Sequence, residues 1–94
     1  MMLDCKTIFS GKYVFKLTYK LTKENNEYFV TITSEKFMKN TFISQSTAPL
    51  AEETEECKEK LTNMNKYVAL NFFNELKKNL VFPCSLSYIL EDIS

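Results

Sequence analysis

The 94-residue chain contains no His, no Arg and no Trp, and it has a single glycine. Without His, it lacks the side chain that most often transfers protons in enzymes and binds transition metals. One glycine provides no glycine-rich loop that would cradle phosphate groups. The three cysteines, Cys5, Cys57 and Cys84, are too far apart for a structural zinc site. This inventory argues against an enzyme and against a bound cofactor or metal.

The odd number of widely spaced cysteines also argues against a disulfide framework. Asp4 and Lys6 interrupt the apolar residues at the N-terminus, so we expect no signal peptide. No stretch approaches the roughly 20 apolar residues of a membrane-spanning helix. We therefore expect a cytoplasmic protein with reduced thiols and no contact with a membrane.

Charge is balanced over the whole chain but not along it. The net charge is zero, so no overall field favours nucleic acid. Residues 1–48 hold seven Lys against four acidic residues, whereas residues 49–94 hold five Lys against eight. The two halves would attract each other within one fold or pair head to tail between chains. The simplest interpretation is two solvated faces, because exposed charges contribute little energy.

The first half of the chain has the alternation of β-strands. Apolar and polar residues alternate over residues 13–21 and again over 28–33, and a short polar link between them predicts an antiparallel hairpin. A third apolar run, residues 37–45, alternates less regularly and predicts a third strand. Residues 2–9 could add a short edge strand before Gly11.

Beyond Pro49 the apolar residues recur every three or four positions as far as Leu76, which is typical of a helix. The glutamates at 52–56 favour a helix N-terminus, where the helix dipole stabilises negative charge. Two arrangements fit this pattern. One is a single helix of about 30 residues, and the other is two helices, of which the first, beginning near Leu50, is acidic.

We favour the break, at residues 62–65, because Thr and Asn disfavour helix interiors and favour N-caps. This interpretation gives an acidic segment over about 50–62 and a helix over about 65–79. Pro83 suits the first turn of a terminal helix over about 83–93. Taken together, the patterns predict one α+β domain over 1–94, with strands within about 2–45. A three-stranded antiparallel meander is followed by helices that pack on one face of the sheet.

Few residues suggest chemistry. The acidic run at 52–56 lacks the Asn and Gly loop residues of a Ca²⁺ site, so a solvated helix N-terminus explains it better. Cys84 follows Pro83 at a predicted helix N-terminus, the one place where a thiol pKa would be lowered, and a Cys-dependent redox function is one alternative. The simpler expectation is that each Cys is a small buried apolar residue.

A nucleic-acid-binding surface is a second alternative. Lys12, Lys16 and Lys20 lie on the face of the first predicted strand opposite its aromatic residues. Lys binds phosphate, but the chain lacks the Arg that reads bases. A guarded, solvated strand face explains these lysines more simply.

The 13 aromatic residues favour a protein partner or self-association. A core of this size does not bury all of them, and exposed apolar patches mark contact sites. We therefore predict a small protein-interaction module, acting as a regulator, adaptor or inhibitor. Its candidate partner-binding residues are Phe29, Phe42, Glu52, Glu53, Glu55, Glu56 and Glu59.

The closing segment, residues 79–93, resembles the end of a small uncharacterised domain family of clostridial-type bacteria. The members have about one hundred residues, with strands first and then a helix that ends in Asn, as at Asn79. The matching residues of the tail are Pro83, Leu86, Ile89, Leu90, Glu91, Asp92 and Ile93. The family often has His where this chain has Ser85, so no functional residue is carried over. The resemblance implies a small bacterial cytosolic domain.

Overall fold

The computed structural model describes residues 2–39 and 51–93 of the chain. The described part has a four-stranded antiparallel sheet in which the strands follow chain order. The elements are β1 (Met2–Ser10), β2 (Tyr13–Glu24), β3 (Glu27–Met38), β4 (Glu53–Leu61), α1 (Lys66–Lys78), a 3₁₀ turn (Pro83–Ser85) and α2 (Leu86–Ile93). The predicted α+β class, with an antiparallel sheet followed by helices, is therefore confirmed.

Two-residue turns fix the register of the first three strands. Gly11 has φ of 59°, which glycine adopts without steric cost. Asn25 and Asn26 have φ of 52° and 65°, the left-handed values that a type I′ hairpin turn requires and that Asn tolerates. The turns place Ser10 opposite Tyr13 and Glu24 opposite Glu27. Since side chains alternate along each strand, these turns decide which residues share a face.

One face of the sheet is covered by α1 and the segment that follows it, and we call it the covered face. Its apolar residues on the two central strands, among them Leu17, Tyr19 and Ile32, are fully buried. Ala69 and Phe73 of α1 pack against them. The core therefore combines the period-two stripe of the strands with the period-3.6 stripe of α1.

Specific contacts also join the sheet to the segment after α1. The Tyr19 hydroxyl donates a hydrogen bond to the Val81 carbonyl at 3.0 Å. The rings of Phe15 and Phe82 meet edge to face, with centroids 5.5 Å apart. Both contacts link β2 to the chain between α1 and the 3₁₀ turn. That segment is thereby held against the covered face.

The prediction of a helix beginning near Leu50 is wrong. Residues Glu53–Leu61 form β4, which pairs with β3 from Lys36 opposite Glu53 to Tyr28 opposite Leu61. The apparent helical spacing came from Thr54, Cys57 and Leu61, of which only Leu61 is fully buried. Because this outer strand has polar residues on both faces, its apolar residues do not alternate with period two, and the sequence showed no sign of a strand.

Within residues 2–39 and 51–93, the strand count is corrected from three to four. The predicted third strand begins with Phe37 and Met38, but these residues are the end of β3, and residues 40–45 lie outside the described residues. The suggested edge strand over residues 2–9 is present as β1.

A break does separate the acidic segment from α1, as favoured above. Asn63 has φ of 60°, and the Asn65 side chain accepts a hydrogen bond from the Val68 N–H at 2.9 Å. Asn65 is thus the N-cap of α1.

We expect the buried phenol of Tyr19 to make the fold sensitive to alkali. Burial raises the pKa of Tyr19 to about 12, against 10.0 for the free side chain. Above pH 10 the unfolded chain loses this proton while the folded chain keeps it, so stability falls as pH rises. Over two pH units this amounts to roughly 2–3 kcal/mol.

Tyr19→Phe removes this titration and costs about 1 kcal/mol at pH 7 through the lost hydrogen bond. Urea unfolding from pH 8 to pH 11.5 should therefore show the wild type losing stability faster than the variant. Equal slopes for the two chains would contradict the burial of the phenol.

Candidate protein-interaction surface

The predicted acidic surface is divided between the two faces of the sheet. Glu53, Glu55 and Glu59 lie on the covered face, and Glu56 lies on the opposite face, which we call the open face. Glu52 precedes β4 and is exposed. The strand conformation thus separates side chains that a helix N-terminus would have gathered.

Several of these glutamates have partners on β3 or within β4. Glu53 lies 3.6 Å from the Lys36 ammonium, and Glu56 accepts a hydrogen bond from the Thr33 hydroxyl at 3.1 Å. The Cys57 thiol lies 3.8 Å from a carboxylate oxygen of Glu59. Burial, followed by the Glu59 charge, raises the pKa of the Cys57 thiol, which disfavours the reactive thiolate.

Two aromatic residues, Phe29 and Phe42, were predicted to contact a partner, and the structure describes only Phe29. Phe29 lies on the open face and is half-buried, and the Lys58 ammonium is 4.9 Å from its ring centroid. Phe42 lies outside the described residues. Phe29 is therefore partly covered by a neighbouring side chain.

The predicted lysine stripe lies where expected but is not alone on its face. Lys12 is in the first turn, and Lys16 and Lys20 are exposed on the open face of β2. Glu35 of β3 is directly opposite Lys16. The open face of the four strands carries four Lys and four Glu, namely Lys16, Lys20, Lys58, Lys60, Glu24, Glu27, Glu35 and Glu56. Positive charge is matched by negative charge across this surface.

The thiols of Cys5 and Cys84 are exposed, so the expectation of burial is wrong for both. Cys84 lies in the 3₁₀ turn, and Cys5 lies on the open face of β1. All three cysteines are free. Among residues 2–39 and 51–93, no group of three or more Cys, Asp or Glu side chains is arranged to hold a metal ion.

The two outer strands of the described sheet differ sharply in charge. β4 has six charged residues among nine, and three of its side chains form ion pairs with charged residues of β2 or β3: Glu53–Lys36, Lys58–Glu24 and Lys60–Glu27. β1 has only two charged residues among nine, Asp4 and Lys6. Charged side chains are a common protection of strand edges, so β4 is protected more strongly than β1.

β1 also exposes large apolar side chains. Leu3 is 61% exposed and Phe9 is 57% exposed, both on the open face, and Met2 is 42% exposed on the covered face. Among the described residues, no strand lies beside the outer edge of β1. Sequence reasoning missed this surface, although the low charge of residues 2–10 was a readable signal.

Helix α1 packs over β2 and β3, and it contacts β1 through a charge pair. The Lys77 ammonium lies 3.3 Å from the Asp4 carboxylate, whose other oxygen accepts a hydrogen bond from the Cys5 N–H at 2.9 Å. The hydrogen bond from Lys77 is the main reason why the pKa of the Asp4 carboxyl is lowered. The outer edge of β1 is left clear of the helix.

A shallow depression lies where β1 begins. It has a volume of about 280 Å³ and includes the apolar side chains of Met2, Leu21, Tyr28 and Leu70. Thr22, Lys23 and Lys66 also line it. An apolar side chain presented beside β1 would find a surface here that suits it.

Within the described residues, neither helix is long and apolar enough to cross a membrane. No protein-family model matches the chain, and no curated protein or solved structure is significantly similar to it. The resemblance of residues 79–93 to the clostridial family stays a prediction.

We expect the Asp4 carboxyl to titrate below its ordinary pKa of 3.8 in the folded protein. Lys77→Met should raise this pKa towards 3.8, because it removes both the hydrogen bond and the nearby charge. Lys6→Met should raise it less, since the Lys6 ammonium is 4.0 Å away, against 3.3 Å for Lys77. Carboxyl chemical shifts measured by NMR between pH 2 and pH 6 give all three values. A larger change with Lys6→Met than with Lys77→Met would refute this arrangement.

Proposed function

We propose that the protein is a non-enzymatic protein-interaction module that binds its partner by strand addition at the outer edge of β1. The observation that carries the proposal is a nine-residue outer strand with two charges and three exposed apolar side chains. In this proposal the protein acts as a regulator, adaptor or inhibitor of the protein whose strand it binds.

Strand addition suits this surface physically. Main-chain hydrogen bonds along an edge provide affinity, and pockets for alternate side chains provide specificity. On β1, Leu3 and Phe9 would meet partner side chains on the open face, and Met2 would do so on the covered face beside the depression. A partner strand with apolar side chains on both of its faces fits this edge.

The glutamates of β4 have a different part in this proposal. Their charges and ion pairs protect the opposite edge of the sheet, so that a partner strand adds at β1. The exposed aromatic contact predicted at Phe29 is replaced by Leu3 and Phe9. We propose a cytoplasmic location because three free cysteines suit a reducing compartment, and a bacterial source because of the resemblance of residues 79–93.

The alternatives gain less support from the geometry. The open face of the described strands, which includes Lys16 and Lys20, carries four lysines and four glutamates. This balance of charge weakens the attraction of the face to phosphate. The redox alternative rests on one exposed thiol, Cys84, in a three-residue turn. Neither has a second observation in its favour.

A pair of matched variants tests the proposal. Leu3→Lys places a charge on the β1 edge at a side chain that is already exposed, so the fold should persist. Tyr67→Lys makes a comparable change at a side chain of α1 that is 76% exposed. We expect Leu3→Lys to weaken partner binding about tenfold or more, as at an interface anchor, and Tyr67→Lys to leave it unchanged.

The measurement is affinity capture with tagged chains in nuclease-treated lysate of the source organism, followed by a binding titration with the purified partner. Thermal melts confirm that both variants fold. Equal binding by the wild type and Leu3→Lys would place the partner elsewhere. Binding that disappears after nuclease treatment would favour the lysine stripe instead.

A further inference from the structure

We infer that the strand added to β1 is the β1 strand of a second copy of this chain, paired antiparallel about a twofold axis at Cys5. The inference rests on the proposed function, since it uses the same edge. It adds the identity of the partner and the register of the pairing. The resulting dimer would have one continuous eight-stranded sheet.

The charges of β1 select this register. In an antiparallel pair, residues directly opposite each other place their side chains on the same face of the sheet. A twofold axis perpendicular to the sheet must therefore lie between one residue and its own copy in the second chain, and not between two successive residues. An axis at Asp4 would place that carboxylate against its copy, and an axis at Lys6 would place two ammonium groups together. Like charges directly opposite each other are destabilising. An axis at Cys5 instead places each Asp4 opposite Lys6 of the second copy.

Two further pairs of described residues in this register are also compatible. Met2 is opposite Ile8 of the second copy, beside the apolar depression at Met2 and Leu21. Leu3 is opposite Thr7 on the open face. The covered face of β1 is therefore complementary to itself in charge, through Asp4 and Lys6, and in apolar contact, through Met2 and Ile8.

The helices leave room for this pairing. Helix α1 packs over β2 and β3, so the two copies of β1 would lie between the helices of the two chains. Asp4 keeps its contact with Lys77, which approaches it from the covered face. The Cys5 N–H donates a hydrogen bond to the Asp4 carboxylate. In the dimer it would give up this bond and donate to a main-chain carbonyl of the second copy. The Asp4 side chain is thus a local competitor of pairing.

Cys5 provides a direct probe of the register. Directly opposite residues of antiparallel strands have Cα atoms about 4.5–5.5 Å apart, which lies within the range of a disulfide. Cys57→Ala/Cys84→Ala leaves Cys5 as the only thiol. Cys5→Ala/Cys57→Ala leaves Cys84, which is also exposed and serves as the matched control.

Under mild oxidation with diamide, we expect the Cys5-only chain to form a disulfide-linked dimer at least tenfold faster than the Cys84-only chain. Non-reducing electrophoresis measures both rates. Sedimentation velocity of the reduced wild type across a concentration series should show a monomer–dimer equilibrium. Equal rates, or a chain that remains monomeric at millimolar concentration, would overturn the inference.

Charge substitutions then test the pairing of Asp4 with Lys6. In the Cys5-only background, Lys6→Asp and Asp4→Lys should each slow cross-linking about tenfold, and mixing the two chains should restore it as a heterodimer. Since Asp4→Lys also opposes Lys77, its folding is checked by a thermal melt. Lys6→Asp alone should recover in 1 M NaCl, where salt screens the repulsion. No effect of either substitution would refute the register.

Failure here is distinguishable from failure of the proposed function. A monomeric chain whose binding to a different protein is abolished by Leu3→Lys would refute the second copy but keep the edge. A dimer that persists in Leu3→Lys and forms no Cys5 disulfide would refute both the register and the use of this edge.

Discussion

The structure depends on one constraint: four antiparallel strands in chain order do not close, so the described sheet has two outer strands and two faces. The two helices and the segment between them cover one face, whereas on the open face the side chains of Val14 and Phe37 are buried. Tyr19, fully buried beneath that cover, joins β2 to the covering segment through Val81. The ion pairs of β4 and the exposed apolar side chains of β1 lie on the two outer strands that this arrangement leaves.

The two outer strands differ in their charged residues. Charge at an edge prevents unwanted pairing, and β4 has glutamates and lysines at six of nine positions. β1 instead has Asp4 and Lys6 on one face and Leu3 and Phe9 on the other. The difference is the basis for proposing that one edge is protected and the other binds.

The sequence predicted the elements that have one buried and one exposed side, because their apolar residues recur with the period of the strand or helix. Residues 13–21 alternate because alternate positions meet the core, and α1 has a stripe because one side of it does. β4 was mistaken for a helix because an edge strand with polar residues on both faces carries no such signal. The candidate surface was missed for a related reason. Whether β1 lies at the edge of the sheet depends on the order of the strands, and the apolar pattern of β1 alone does not show that order.

Hydrogen exchange of the main chain tests the central claim most directly, because it reports on the outer edge of β1 residue by residue. Exchange would be followed by NMR for residues 2–10 and for residues 53–61 as the protein concentration is raised from micromolar to millimolar. The account predicts that alternate amides of β1 become at least tenfold more protected, while the outer amides of β4 do not change. Protection that stays constant along β1, or that increases along β4 instead, would contradict it.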